Sequence, residues 1–92
     1  MINVIASNQI LKFKKKASSK YQLEIDKQVK TIMEDPEIGQ LKKGDLKGIR
    51  VLKFEYNRQW YLLSYEIKGN ILNIYLIGGH ENFYSKLKKY LR

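Results

Sequence analysis

Apolar residues recur at helical spacing early in the chain and at strand spacing later. Between about Ser7 and Ala17, the side chains of Ile10, Phe13 and Ala17 share one face of a first helix. Ser18-Ser19 interrupts that pattern. Ser19 and Gln22 then stand at the Ser-x-x-Gln spacing of a capping box, whose side chains and backbone amides satisfy each other at a helix start. The second helix carries Tyr21, Ile25, Val29, Ile32 and Met33 on one face. It stops before Pro36, because the residue ahead of a proline is pushed out of helical geometry. Two such helices in succession form an antiparallel hairpin.

Residues 36–48 read as a glycine-containing basic loop, and beyond them the period becomes that of strands. A first strand covers residues 49–56, Asn57-Arg58 is a tight turn, and a second strand covers 59–67 with Tyr61, Leu63, Tyr65 and Ile67 on one face. Lys68-Gly69-Asn70 is a further turn, and residues 71–77 are almost continuously apolar, as a central strand requires. From Glu81 a last helix gathers Phe83, Leu87, Tyr90 and Leu91. Glu81 in its first turn and Lys88, Lys89 and Arg92 in its last complement the helix dipole. The predicted fold is α+β, a single domain over residues 1–92. An N-terminal helix hairpin, preceded by a short strand, packs on a small antiparallel sheet that ends in a C-terminal helix. The helices are expected on one sheet face, leaving the other partly open to a substrate.

Composition narrows the function. The chain has 92 residues, 43% of them hydrophobic and 12% aromatic, enough for a packed domain and too many for a disordered one. Eighteen lysines and arginines against nine acidic residues give a net charge of +9, which favours a polyanionic partner, with nucleic acid or the ribosome foremost. Cysteine is absent, which excludes disulfides, a thiolate nucleophile and cysteine-ligated metal and fits a reducing compartment. Residues 1–6 are apolar but too short for a signal peptide or a membrane span, and no longer apolar run follows. A cytoplasmic protein without membrane contact is expected.

The cations concentrate between residues 42 and 58, where Lys42, Lys43, Lys47, Arg50, Lys53 and Arg58 are offset only by Asp45 and Glu55. Phe54, Tyr56, Trp60 and Tyr61 are interleaved with or follow them. Such a mixture neutralises phosphates and stacks unpaired bases, and it equally describes solvated charges guarding a sheet edge. Strand alternation puts Arg50 on the face of Leu52, Phe54 and Tyr56, and Lys53 on that of Val51 and Glu55. His80, the only histidine, follows Gly78-Gly79 at the passage from strand to helix. It suits acid–base work near neutral pH, and it also suits a plain capping or surface role. Tyr84 stands one helical turn further on. A lone histidine without cysteine makes no standard zinc site, and no phosphate-binding glycine loop, serine triad or carboxylate pair is present. No metal or cofactor is expected.

These pieces, in this order, resemble the RelE/ParE toxin superfamily of type II toxin–antitoxin systems. Residues 45–50 (Asp-Leu-Lys-Gly-Ile-Arg) are similar to that family's L-x-G-x-x approach to the sheet, and residues 60–65 to its Y-R-L-x-Y strand. The stretch from Ile77 through His80 to Tyr84, followed by Leu87-Lys88, resembles its G-x-H-x-x-x-Y ending, and Asp35-Pro36 after a helix is similar as well. The likeness spans nearly the whole chain and departs at Leu62, where the family carries an arginine that helps hold the scissile phosphate. Arg58 and Arg50 are the neighbouring arginines able to substitute.

The resemblance implies a ribosome-dependent, metal-independent mRNA endonuclease that blocks translation by 2′-hydroxyl attack. His80 and Tyr84 then divide acid and base work with Arg50 as catalytic cation, while Lys42, Lys43, Lys47, Lys53 and Arg58 bind RNA. Its implied partners are a cognate antitoxin, the ribosome with its mRNA, and operator DNA only as the toxin–antitoxin complex. A gyrase inhibitor on the same fold and a catalytically degenerate antitoxin-binding module are the alternatives.

Overall fold

A computed structural model describes residues 3–91. Strand β1 (Asn3–Ala6) leads into helices α1 (Asn8–Lys16) and α2 (Ser19–Glu34), then the two-residue strand β2 (Gln40–Leu41) and a 3-10 turn (Gly44–Leu46). Strands β3 (Arg50–Tyr56), β4 (Gln59–Lys68) and β5 (Ile71–Gly79) form a meander, and helix α3 (Phe83–Leu91) closes the chain. The sheet order is β1-β5-β4-β3-β2, with β4 in the middle. Strands β3, β4 and β5 are antiparallel neighbours as expected, β2 joins them antiparallel to β3, and β1 adds to β5 in parallel. Within the expected loop, β2 is a short edge strand that pairs with Arg50 and Val51.

The helices do not share one face. The side chains of α1 and α2 cover Leu52, Phe54, Leu63, Tyr65, Leu72, Ile74 and Ile77, whereas Phe83 and Leu87 of α3 pack with Leu46, Ile49, Val51 and Leu62 on the other side. The expected open face is therefore largely occupied by α3. A bulge makes this possible: Tyr65 pairs with Ile74 but Ser64 with Leu76, so Tyr75 is the extra residue. Ile74 and Ile77 then face the hairpin, while Tyr75 and Leu76 both pack towards α3. Ser64, fully buried, donates to the Leu76 carbonyl beside the irregularity.

Local signals are shifted by a residue in places. Ser18, not Ser19, caps α2 by accepting from the Tyr21 amide. Gln22 instead donates from its side chain to the carbonyls of Lys14 and Ala17, closing the end of α1. Met33 on α2 is exposed, as are Tyr90 and Leu91 on α3. Helix α3 begins at Phe83, so Glu81 lies ahead of its first turn, and Arg92 lies outside the described residues. The β3–β4 turn is as expected: Asn57 and Arg58 both have positive φ (54° and 65°), the requirement of a two-residue hairpin that follows sheet twist.

Candidate active site

The α3 face of the sheet carries the candidate chemistry. In the register of β3, β4 and β5, Lys53 stands opposite Leu62, which stands opposite Gly78. Gly78 has room above it for Phe83, whose ring would lie 3.8 Å from a β-carbon there, and Leu62 is 3% exposed beneath the same helix. Glu55 and Trp60 form the next row, and Gly79 pairs with Tyr61, so His80 leaves the sheet at the end that bears Trp60. The Lys53 ammonium lies 4.7 Å from the centre of the Trp60 ring, which is half exposed. This pair offers a phosphate a cation and a base a stacking plane.

Tyr84, in the first turn of α3, is half-buried against the Leu46–Val51 cluster and meets Phe83 edge-on, with ring centres 5.5 Å apart. Lys42, just past β2, places its ammonium 5.0 Å from the centre of the Tyr84 ring and donates to Gln40 Oε1 at 2.9 Å. The Lys42 amide bonds the Ile49 carbonyl, which fixes this position relative to the sheet. Lys43 and Lys47 are exposed on either side of the 3-10 turn, and Arg58 projects from the hairpin tip. His80 is exposed in the bend before α3. Asn82, at φ 61°, turns the chain between His80 and the helix, so the two residues do not stack as successive helical turns.

Arg50 is not part of this arrangement. It shares the hairpin face with Leu52 and Phe54, as alternation required, and stands opposite Tyr65. Its Nη1 donates to the carbonyls of Glu37 (3.2 Å) and Gly39 (2.9 Å). Beside it the Gly39 amide donates to the Tyr65 hydroxyl, which donates to the Pro36 carbonyl. A β-carbon on Gly39 would lie 2.7 Å from that hydroxyl, so glycine alone fits there. Arg50 and Tyr65 thus anchor the segment between α2 and β2. As a replacement for the arginine missing at Leu62, Arg50 is on the wrong face. Sequence reasoning counted Lys53 among the RNA-binding residues without linking it to Leu62; the strand register pairs the two directly. Among the described residues no cluster of three or more His, Asp and Glu side chains converges to hold a metal ion, and no helix is long and apolar enough to cross a membrane.

The family model of ParE-like toxins of type II bacterial toxin–antitoxin systems matches residues 4–88. The chain belongs to this family. Solved structures agree on the fold. The toxin superimposes on RelE from Escherichia coli in its free, arginine-substituted form with a TM-score of 0.74 at 17% identity, over 95% of this chain and 92% of that one. The RelBE toxin–antitoxin complex of the same organism gives 0.71 at 18% identity, over 88% and 99%. A RelE mutant bound to a peptide of the antitoxin RelB gives 0.69 at 19%, over 94% and 93%. No curated protein matches the chain significantly.

Proposed function

We propose that this toxin is a ribosome-dependent endoribonuclease that cuts mRNA during translation. The observation that carries this reading is the Lys42 ammonium set over the Tyr84 ring, on the sheet face that also bears Lys53 and Trp60 and that His80 leaves at the Trp60 end. A messenger laid over this face meets cations for its phosphates and an exposed indole for a base. In the cleavage step the 2′-hydroxyl loses its proton to a base and attacks the adjacent phosphorus. The bond to the 5′-oxygen breaks, and an acid protonates the leaving oxygen, giving a 2′,3′-cyclic phosphate and a 5′-hydroxyl end. His80 and Tyr84 serve as this acid–base pair. Lys42 and Lys53 offset the charge that builds on the phosphorane, Lys53 taking over from the arginine replaced by Leu62. Lys43, Lys47 and Arg58 contact flanking phosphates. The reaction uses no metal and belongs to the cytoplasm, where the ribosome holds the messenger.

The cognate antitoxin is the expected protein partner, in keeping with the RelB-bound neighbours, and operator DNA is met only by the toxin–antitoxin complex. The match to a ParE-like family favours gyrase inhibition as a second reading, which needs no acid–base pair. Induction of His80→Ala and Tyr84→Phe variants separates the two. The nuclease reading expects each to relieve growth arrest and lower cleavage at least tenfold while still co-purifying with the antitoxin. Undiminished toxicity of both variants would refute the site.

A further inference from the structure

Strand β1 covers only part of the β5 edge. It pairs with residues 71–74, after which the Ser7 amide bonds the Ile74 carbonyl and the Ser7 hydroxyl bonds the Tyr75 carbonyl. The chain then departs into α1. Among the described residues, Leu76 to Gly79 have a neighbouring strand on the β4 side alone. Continuing the alternation past the bulge, the N–H and C=O of Ile77 and Gly79 point away from β4, into the open side.

That edge is the floor of a groove between α1 and α3. Its cavity measures about 380 Å³, with Lys12, Phe13 and Lys16 on one wall and Phe83 and Lys86 on the other. It continues along Leu76 towards Lys89 and Tyr90. Every charged side chain lining it is a lysine.

We propose that this groove receives an extended, acidic strand from a partner polypeptide, which prolongs β1 along β5. Three features choose a peptide over RNA. The floor offers unpaired main-chain donors and acceptors in strand spacing, which another strand satisfies and a sugar–phosphate chain does not. Phe13, half-buried, provides an apolar wall for alternate side chains of a strand. The surrounding lysines complement carboxylates on the others. The added strand ends beside Gly79, next to His80, so its binding reaches the proposed site. The inference rests on the toxin having a polypeptide partner and is independent of RNA cleavage.

The test is a titration of isotope-labelled toxin with an end-blocked heptapeptide of alternating valine and glutamate, followed by amide shifts and hydrogen exchange. Binding should slow exchange at the Ile77 and Gly79 amides at least tenfold. Joint Lys12→Glu, Lys16→Glu and Lys86→Glu substitution should weaken it at least tenfold. Gly79→Pro, which removes one outward N–H and leaves the β4 side intact, should also weaken it. A peptide N-methylated at alternate positions should not protect these amides. No protection at millimolar peptide, equal protection by the methylated peptide, or protection confined to β1 or β2 would overturn the proposal. Stronger protection by an oligouridylate would assign the groove to nucleic acid instead. Because no cleavage is read, failure of the nuclease reading leaves this result unaffected.

Discussion

Tyr65 and Tyr21 show how differently two buried tyrosines can act. The Tyr65 hydroxyl both accepts and donates within the segment between α2 and β2. Tyr65→Phe leaves the Gly39 amide without its acceptor and is expected to cost about 1–3 kcal/mol in urea unfolding. Tyr21 stacks on Tyr56 with ring centres 4.8 Å apart and meets Phe13 edge-on, yet its buried hydroxyl has no partner. Tyr21→Phe keeps the rings and removes the orphan, so stability should rise by about 1 kcal/mol. Loss of stability there would reveal a partner, such as a bound water. Arg50→Ala is expected to destabilise the fold through the Glu37 and Gly39 carbonyls, leaving residual cleavage in proportion to folded protein. The residues on each face of β3 were legible in the sequence through alternation, but what Arg50 reaches was not, because its partners come from a loop 11 to 13 positions away.

At the scale of elements, the hairpin tip combines a conformational cost with a charge. Arg58 holds a positive φ that glycine adopts without penalty. Arg58→Gly should therefore raise stability by about 1 kcal/mol while weakening RNA binding; unchanged binding would remove Arg58 from the proposed interface. Helix, strand and turn identities were legible because their periods and turn residues are clear. Three things were not. Gln22 bonds the preceding helix rather than its own, since the nearby α1 carbonyls lack intrahelical donors. Tyr75 breaks the alternation that sequence reading assumes. The two-residue β2, which positions Lys42, is too short to show a period.

The whole molecule couples stability to pH through its tyrosines. Burial, reinforced by a bond donated to Glu66, pushes the Tyr75 hydroxyl up to about 12. Burial raises Tyr21 and Tyr65 too. The folded state thus keeps protons that an unfolded tyrosine releases near pH 10. Their stabilising share is complete below about pH 10 and is lost as pH climbs towards the folded values, about 12 for Tyr75. Urea midpoints should fall across that window, and Tyr75→Phe should flatten part of the slope. The net charge of +9 sets the other global behaviour: association with ribosomes should weaken steeply with added salt. The family and fold were legible because motifs along nearly the whole chain agree in order. The candidate site was legible only in part, since Tyr84 and Lys42 lie far apart in sequence and meet only through the packing of α3.

Cleavage of a translated message is the claim on which the functional reading turns, and primer extension in a purified translation system tests it most directly. Added toxin should produce cuts in phase with codons, only when ribosomes are present, and Tyr84→Phe should abolish most of them. Intact messenger throughout, with toxin-dependent trapping of gyrase on cleaved DNA in a parallel reaction, would contradict it.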